Sequence, residues 1–464
     1  MKTSNSFFRK IRVYTLTLTL ISGVMTVFTL PAHAVAPFDV TVSNFTQLQT
    51  AVEKTFAAAT DDMVITVSAP LSISAILSVP APATGGKMLT IKSASPSNRS
   101  TLTRGVTGNL FTIAYGATLV LEDIIIDGGK NGSFSTDGGG SLVRIVGACT
   151  LKDGAVLQNN IYAGLYAYGG GVHTDVGGRF VIAGGKIIGN TAGAKGGGVF
   201  TGLGVFTLNS GEISGNVCVN GEGGGVHTYD SAFTLNGGEI KGNSCLTGLG
   251  GGVYSISPTV AEPCTMNNGK ISGNSATTGG GVFMTETPFV VNGGEISGNK
   301  ATTDGGGVYI RLSIFTLNNG KINGNSAAND GGGIYLYSEM CAVGGGEVNG
   351  NSAANNGGGI YVAANSYNAD FFLGGTAKIN GNSQGAGATA SASNLCLGNN
   401  RFVFLGGGDI DMPTAGMNVG VQTATEGGVF VKARANASDV NYFTADKSNS
   451  KIIHEGSQLK IGAR

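Results

Sequence analysis

Residues 294–310 read GEISGNKATTDGGGVYI and residues 320–336 read GKINGNSAANDGGGIYL, the same phrase 26 residues on with Glu295 exchanged for Lys321. Between about residues 131 and 385 the phrase recurs in register. Its glycine triplets start at 138, 169, 196, 223, 250, 279, 305, 331 and 357, with spacings of 31, 27, 27, 27, 29, 26, 26 and 26. A fixed period of this length marks a chain built from stacked supersecondary units rather than from separate globular domains. Each unit holds three short apolar segments, typified by 305–310, 315–318 and 320–323, all bounded by Gly, Asn or Asp. They are too short for helices and read as strands.

Three strands per coil of about 26 residues cannot bury a face within one unit. Wound into a coil, they can stack on the same strands of the next unit. The predicted fold is therefore all-β, a parallel β-helix solenoid. Alternation along each strand points Val308, Ile310, Phe315, Leu317 and Ile322 inward and Tyr309, Thr316 and Lys321 outward. At ~4.8 Å per coil, the triplet-marked coils span roughly 40 Å. Glycines serve turns with positive φ or close backbone approach, where a Cβ would obstruct.

Composition removes other classes. The 464 residues include 80 glycines and no tryptophan; 12% are charged, with zero formal net charge, and 41% are hydrophobic. Disorder needs low hydrophobicity with high net charge, and a nucleic-acid partner needs a basic face, so neither is expected. At the N-terminus, Lys2, Arg9, Lys10 and Arg12 precede an apolar stretch at 13–30 and the small-x-small exit Ala32-His33-Ala34, which reads as a secretory signal over residues 1–34. No later segment is apolar enough to span a membrane, so an exported, unanchored chain is expected, extracellular or at the cell surface. The remaining divisions are an N-terminal cap with first irregular coils at 35–130, the β-helix repeats at 131–385, and closing strands at 386–464.

In such a stack, columns matter more than single residues. Asn159, Asn190, Asn216, Asn243, Asn274, Asn299, Asn325, Asn351 and Asn382 share one coil position, where side-chain amides can hydrogen-bond from rung to rung. A second column runs Lys186, Glu212, Glu239, Lys270, Glu295, Lys321, Glu347, Lys378, and six of its seven neighbouring pairs are opposite in sign. Pairing between rungs accounts for the Glu295/Lys321 exchange, each exposed pair contributing ~0.2–1 kcal/mol. Cys149, Cys264 and Cys341 occupy the column filled elsewhere by Phe206, Phe233, Phe289 and Phe315 and read as buried apolar substitutes. Cys218 and Cys245 follow the column asparagines of adjacent coils and form the one candidate disulfide, while Cys396 has no evident partner. Metal-ligand spacing is absent, and no cofactor is expected.

These motifs carry a resemblance. The chain resembles the right-handed parallel β-helix repeat proteins of bacterial surfaces, of pectin-lyase-like fold, and in particular the polymorphic outer-membrane protein repeats with their GGA-[IVL] and F-x-x-N motifs. Here GGGV or GGGI stands in eight of nine triplets, and Phe-x-x-Asn at Phe206–Asn209, Phe233–Asn236, Phe289–Asn292 and Phe315–Asn318. Since the family includes adhesins, the resemblance implies adhesion. Autotransporter relatives end in a membrane β-barrel of a few hundred residues, whereas about 80 residues follow the last coil here, so self-translocation is not implied.

The pectin-lyase-like fold also hosts lyases and glycosidases, which makes a polysaccharide-active lyase or hydrolase the alternative. Hydrolysis needs converging carboxylates, and lysis an acidic Ca²⁺ site with a basic residue. Gly-His-Gly, Arg-Ile-Lys and Asn-Thr-Asp are missing, Asp61-Asp62 lies beside a predicted helix, and His173-Thr174-Asp175 lacks partner segments. A non-catalytic binding protein, monomeric, is the expectation.

Residues 44–58 place Phe45, Leu48, Val52 and Phe56 at helical spacing after the N-cap candidate Asn44, a helix suited to covering the open end of the solenoid. Strand-like runs follow at 63–67, 88–92, 110–113 and 118–126, and RFVFL, GGVFVKA and SQLKI continue or cap the other end. One outward column remains as a binding candidate: His173, Phe200, His227, Tyr254, Phe283, Tyr309, Tyr335 and Tyr361 follow successive triplets and form an aromatic stripe. It is suited either to a glycan or a cell-surface protein, or simply to packing.

Overall fold

The computed structural model describes residues 39–259, 263–337, 340–364, 370–385, 387, 390–407 and 409–464; the predicted signal segment lies outside the described residues. Strands make up 47% and helices 5% of an all-β solenoid of about 14 turns with roughly 27-residue spacing. The three expected strands of each coil are present, as in Val308–Arg311, Ile314–Leu317 and Lys321–Asn323. A fourth, two-residue strand such as Ser326–Ala327 follows the column asparagine, and nine of these, closed by the antiparallel Ser391–Ala392, make a separate small sheet. A two-residue segment has too little periodicity to be read from sequence.

Pairing is parallel and in register from coil to coil: Val282, Val308, Ile334 and Ile360 align, as do Phe289, Phe315 and Cys341. Val308, Ile310, Phe315, Leu317 and Ile322 are fully buried in one continuous core. Parallel stacking begins before the glycine-triplet repeats. Met63–Val67 pairs with Met88–Ser93, which pairs with Thr118–Glu122 and then Ala148–Lys152, all parallel.

From the triplet at 169 onward the first glycine takes positive φ, 67° at Gly305 and 65° at Gly331. A Cβ on the second, Gly306, would lie 2.4 Å from the carbonyls of Gly332 and Ser326, and one on the third, Gly307, 2.6 Å from Gly333 O. Coils therefore touch backbone to backbone at the triplet. The triplet at 138 is out of register, because Val143 pairs with Val172 and thus aligns Gly140, not Gly138, with Gly169. The Cβ space of Gly138 is taken by the buried Arg104 guanidinium, 2.8 Å away.

Both ends are closed. Asn44 caps the helix Phe45–Thr50 by accepting from Gln47 N–H, and Leu48, Val52 and Phe56 are buried beneath the first coil. At the other end Val403–Leu405 continues its column from Asp370–Leu373, and the antiparallel hairpin Ser450–Glu455/Gln458–Ala463 pairs onto Val429–Val431. No helix among the described residues is long and apolar enough to cross a membrane.

The asparagine column is a hydrogen-bonded ladder inside the wall. Asn299 donates from its backbone N–H and Nδ2 to Asn325 Oδ1, both at 2.9 Å, and from Nδ2 to Ile271 O at 2.9 Å; Asn325 repeats this with Asn351 and Ile296. Its first member is Asn160, not Asn159. Asn159 adopts φ 56°, the left-handed conformation that glycine holds just before the other column asparagines, such as Gly324 at 60°. Each end meets a charge. Arg104 Nη2 donates to Asn160 Oδ1 at 3.0 Å, while Asn394, the last amide, donates from N–H and Nδ2 to the Asp446 carboxylate at 2.8 and 2.7 Å. Since every amide dipole between Asn190 and Asn394 points the same way, a cation at the acceptor end and an anion at the donor end suit it, as they do a helix dipole. Burial lowers the Arg104 pKa to about 10, partly offset by Asp137.

Candidate functional site

The eight aromatic-column residues stack as one column on the face opposite the core side of their strand. From Phe200 to Tyr335 successive centroids lie 4.8–5.4 Å apart and near-parallel, 4° between Phe283 and Tyr309 and between Tyr309 and Tyr335. His173 meets Phe200 edge-on at 81°, and Tyr361 tilts 52° from Tyr335. Packing decides which rings reach solvent. Phe200, His227, Tyr254 and Phe283 are buried, contrary to the expectation of an open stripe, while His173, Tyr309, Tyr335 and Tyr361 are half-buried. From His227 to Tyr361 each ring's Cβ leans on the first glycine of its own triplet, which explains part of the burial: a Cβ on Gly331 would lie 2.7 Å from that of Tyr335. Stacking also covers ring faces, so the column offers edges and hydroxyls rather than open π-faces. Burial raises the phenols of Tyr254, Tyr309 and Tyr335, that of Tyr309 to about 12. Cys396 extends the column above Tyr361.

Polar residues collect at the N-terminal part of the column. Arg144 Nε donates to Asp175 Oδ2 at 2.7 Å, and His173 Nε2 lies 3.2 Å from Asp175 Oδ1. Tyr168 stacks on Phe200 at 5.0 Å beneath the Lys195 ammonium, Lys195 pairs with Glu222 at 3.5 Å, and Glu222 reaches His227 Nε2 at 3.2 Å. Burial lowers the His227 pKa against the pull of Glu222, and its Nδ1 is buried without a partner. Burial likewise lowers His173, with Asp175 opposing and Arg144 adding to the shift. Arg144, Tyr168, Lys195 and Glu222 escaped the sequence reading. Tyr168, Lys195 and Glu222 all stand immediately before a triplet, an alignment that would have found them.

In the same region the period breaks. Tyr162 pairs with Ala192 and Tyr168 with Lys195, so six residues are spent where the next coil spends three. The extra turn carries Leu165 and Tyr166, 83% and 80% exposed.

The Lys/Glu column is in register throughout its length. Lys186–Glu212, Lys270–Glu295, Lys321–Glu347 and Lys378–Glu347 approach to 3.3, 3.5, 3.9 and 3.1 Å. The one like-charged step, Glu212 over Glu239, is bridged by Lys241, 3.3 Å from one carboxylate and 3.0 Å from the other. Lys241 lies two residues beyond Glu239 on the same strand face, so period-two spacing placed it within reach. Burial alone would raise Glu212, yet hydrogen bonds from Ser214, Lys186 and Lys241 outweigh it and hold the carboxyl below its usual range. Glu295 is lowered by Ser297, against burial, with help from Lys270. Beside the column runs a shallow groove of about 520 Å³ lined by Lys270, Glu295, Lys321 and Glu347 with glycines 269, 294 and 320. Asn236, Asn267, Asn292 and Asn318 form a second, exposed amide ladder next to it, at 2.8–2.9 Å.

The six cysteines are buried thiols, three of them in the phenylalanine column as expected: Cys149 beside Phe180, Cys264 beside Phe289, Cys341 between Phe315 and Phe371. Asp61 and Asp62 are engaged near the cap, by Lys87 at 3.8 Å and by Met88 N–H at 2.9 Å. Among the described residues no three or more His, Cys, Asp or Glu side chains gather as a metal site. No family model, curated protein or solved structure matches the chain.

Proposed function

We propose that this is a secreted or cell-surface binding protein of adhesin type, without catalysis of its own, in which the stacked coils are a scaffold and the irregular coil at 161–176 with the adjoining ring column is the contact face for a glycan or a surface protein. The observation that carries the reading is the exposed pair Leu165 and Tyr166, set on a turn that spends six residues where the next coil spends three. Irregular surface turns on a rigid scaffold are where binding residues concentrate. The same turn ends at Tyr168, whose ring meets His173 at 6.3 Å between centroids; His173 stands in register with Arg144, and both engage Asp175. Further along the same column lie the edges and hydroxyls of Tyr309, Tyr335 and Tyr361. A polysaccharide-cleaving role is less well supported. A general acid works with its pKa raised toward neutrality, whereas Glu212 and Glu295 are held low and paired with ammonium groups.

The test is a glycan array and a cell-attachment assay on the purified chain, run beside Leu165→Ser/Tyr166→Ser and Tyr309→Ser/Tyr335→Ser/Tyr361→Ser variants. The first variant is expected to lose most attachment and the second to weaken it, with unchanged circular dichroism. Cleavage of pectin or alginate abolished by a Glu295 change would overturn the proposal.

A further inference from the structure

The two-residue strands align small side chains in a buried column that reads Ala192, Cys218, Cys245, Ala276, Ala301. In two successive rungs cysteine replaces alanine, and the strands pair residue for residue, Val217 with Ser244 and Cys218 with Cys245. In-register parallel neighbours bring Cα atoms to ~4.8 Å, within the ~4.4–6.8 Å that a disulfide spans. Cys218 Sγ donates to Ala194 O at 3.1 Å and Cys245 Sγ to Gly221 O at 3.0 Å, and the two side chains pack in one small buried cluster with Ala276. None of the other four cysteines has a cysteine in register. Cys149 lies between Leu119 and Phe180, Cys264 meets Phe289, Cys341 lies between Phe315 and Phe371, and Cys396 between Tyr361 and Gln422.

Parallel strands aim such side chains alongside each other, so bonding needs a small local rotation. The backbone supplies slack at this place. Four steps separate Cys218 from Glu222 and Cys245 from Leu249, against three from Ala192 to Lys195 and two from Ala276 to Thr278, although Lys195, Glu222, Leu249 and Thr278 bridge in one column. Both longer turns carry a glycine, and Gly248 wraps so close that a Cβ there would lie 3.0 Å from Cys245 Sγ.

We propose that Cys218 and Cys245 are a modification site: when the chain folds in an oxidising medium they join as a rung-to-rung disulfide that staples one coil closed. Each thiol yields a proton and an electron, the S–S bond forms, and a disulfide oxidant such as oxidised glutathione takes up both electrons and both protons to become two thiols. The inference is independent of which ligand the surface binds.

The full chain, refolded from the reduced, denatured state in a glutathione redox buffer, is isolated as its strand-rich monodisperse fraction, then denatured, alkylated without reduction and weighed. Of the six cysteines, four are expected to be alkylated, and a bridged peptide should join Cys218 to Cys245. Six alkylated cysteines in natively folded protein, or a bridge between any other pair, would overturn the proposal. Cys218→Ala should give five alkylated thiols and no bridge. Should that variant not refold, Cys245→Ala should likewise give five alkylated thiols and no bridge, while the parent chain purified from an oxidising compartment should give four and the Cys218–Cys245 bridge.

Discussion

Asn325→Ala isolates what the inner ladder contributes. The change removes an amide that accepts from Asn299 N–H and Nδ2 and donates to Ile296 O and Asn351 Oδ1, each at 2.9 Å. Asn299 Nδ2 keeps Ile271 O, and Asn351 Oδ1 keeps Asn325 N–H, so the one stranded group is the buried backbone N–H of Asn299. Stranding it costs about 1–3 kcal/mol, and the three other lost bonds about 0.5–1 kcal/mol each, together about 2.5–6 kcal/mol. Asn318→Ala is the control. Its exposed amide donates to Asn292 Oδ1 at 2.9 Å in the outer ladder, where water replaces the partner; that change is expected to cost under ~1 kcal/mol. Urea unfolding followed by circular dichroism measures both, with the midpoint read as free energy where the slope is unchanged. Equal midpoints for the two variants would refute the claim that the inner amides hold the rungs.

Lys241→Ala should cost more than Lys321→Ala, toward the upper end of ~0.2–1 kcal/mol, because it uncovers Glu212 against Glu239, and the difference should vanish in high salt. Burial disfavours the His227 imidazolium, so below the ordinary histidine pKa of 6.5 the unfolded chain binds a proton that the folded chain does not. Stability should therefore fall as pH drops through that value, and His227→Phe, which keeps the stack, should flatten the dependence in urea titrations between pH 5 and 7, about the window of an unperturbed histidine. Alkylation of native, unreduced protein should leave Cys149, Cys264, Cys341 and Cys396 unmodified, since all four are buried and burial raises each thiol pKa, to about 11 at Cys264 and about 12 at Cys396; modification at the rate of an exposed thiol would contradict this.

The repeat made the coil, the inward set from Val308 to Ile322 and the charge column legible, because stacking in register turns a sequence period into a spatial column. What escaped was set by local backbone geometry. Asn159 was preferred over Asn160 because spacing alone cannot show which of two asparagines takes the left-handed turn. The terminal amide Asn394 and its anion Asp446 lie where the period has dissolved, so no alignment pointed to them. For the rings, alternation correctly put the column outside the core, but burial of Phe200, His227, Tyr254 and Phe283 depends on close packing against the triplet glycines and neighbouring rings, which a pattern of alternation does not encode.

Deleting residues 305–356 removes two coils and joins Asp304 to Gly357 with every column in phase: Val282 would meet Ile360, Glu295 would meet Lys378, and Asn299 would meet Asn382. If each repeat is one rung held by its columns, the shortened chain should fold cooperatively with strand-rich circular dichroism, and small-angle scattering should show a particle shorter by ~10 Å. Deleting residues 305–343, one and a half repeats, should abolish folding by breaking every column at once. Failure of the in-phase deletion to fold, or equal behaviour of the two deletions, would contradict the stacked-rung account.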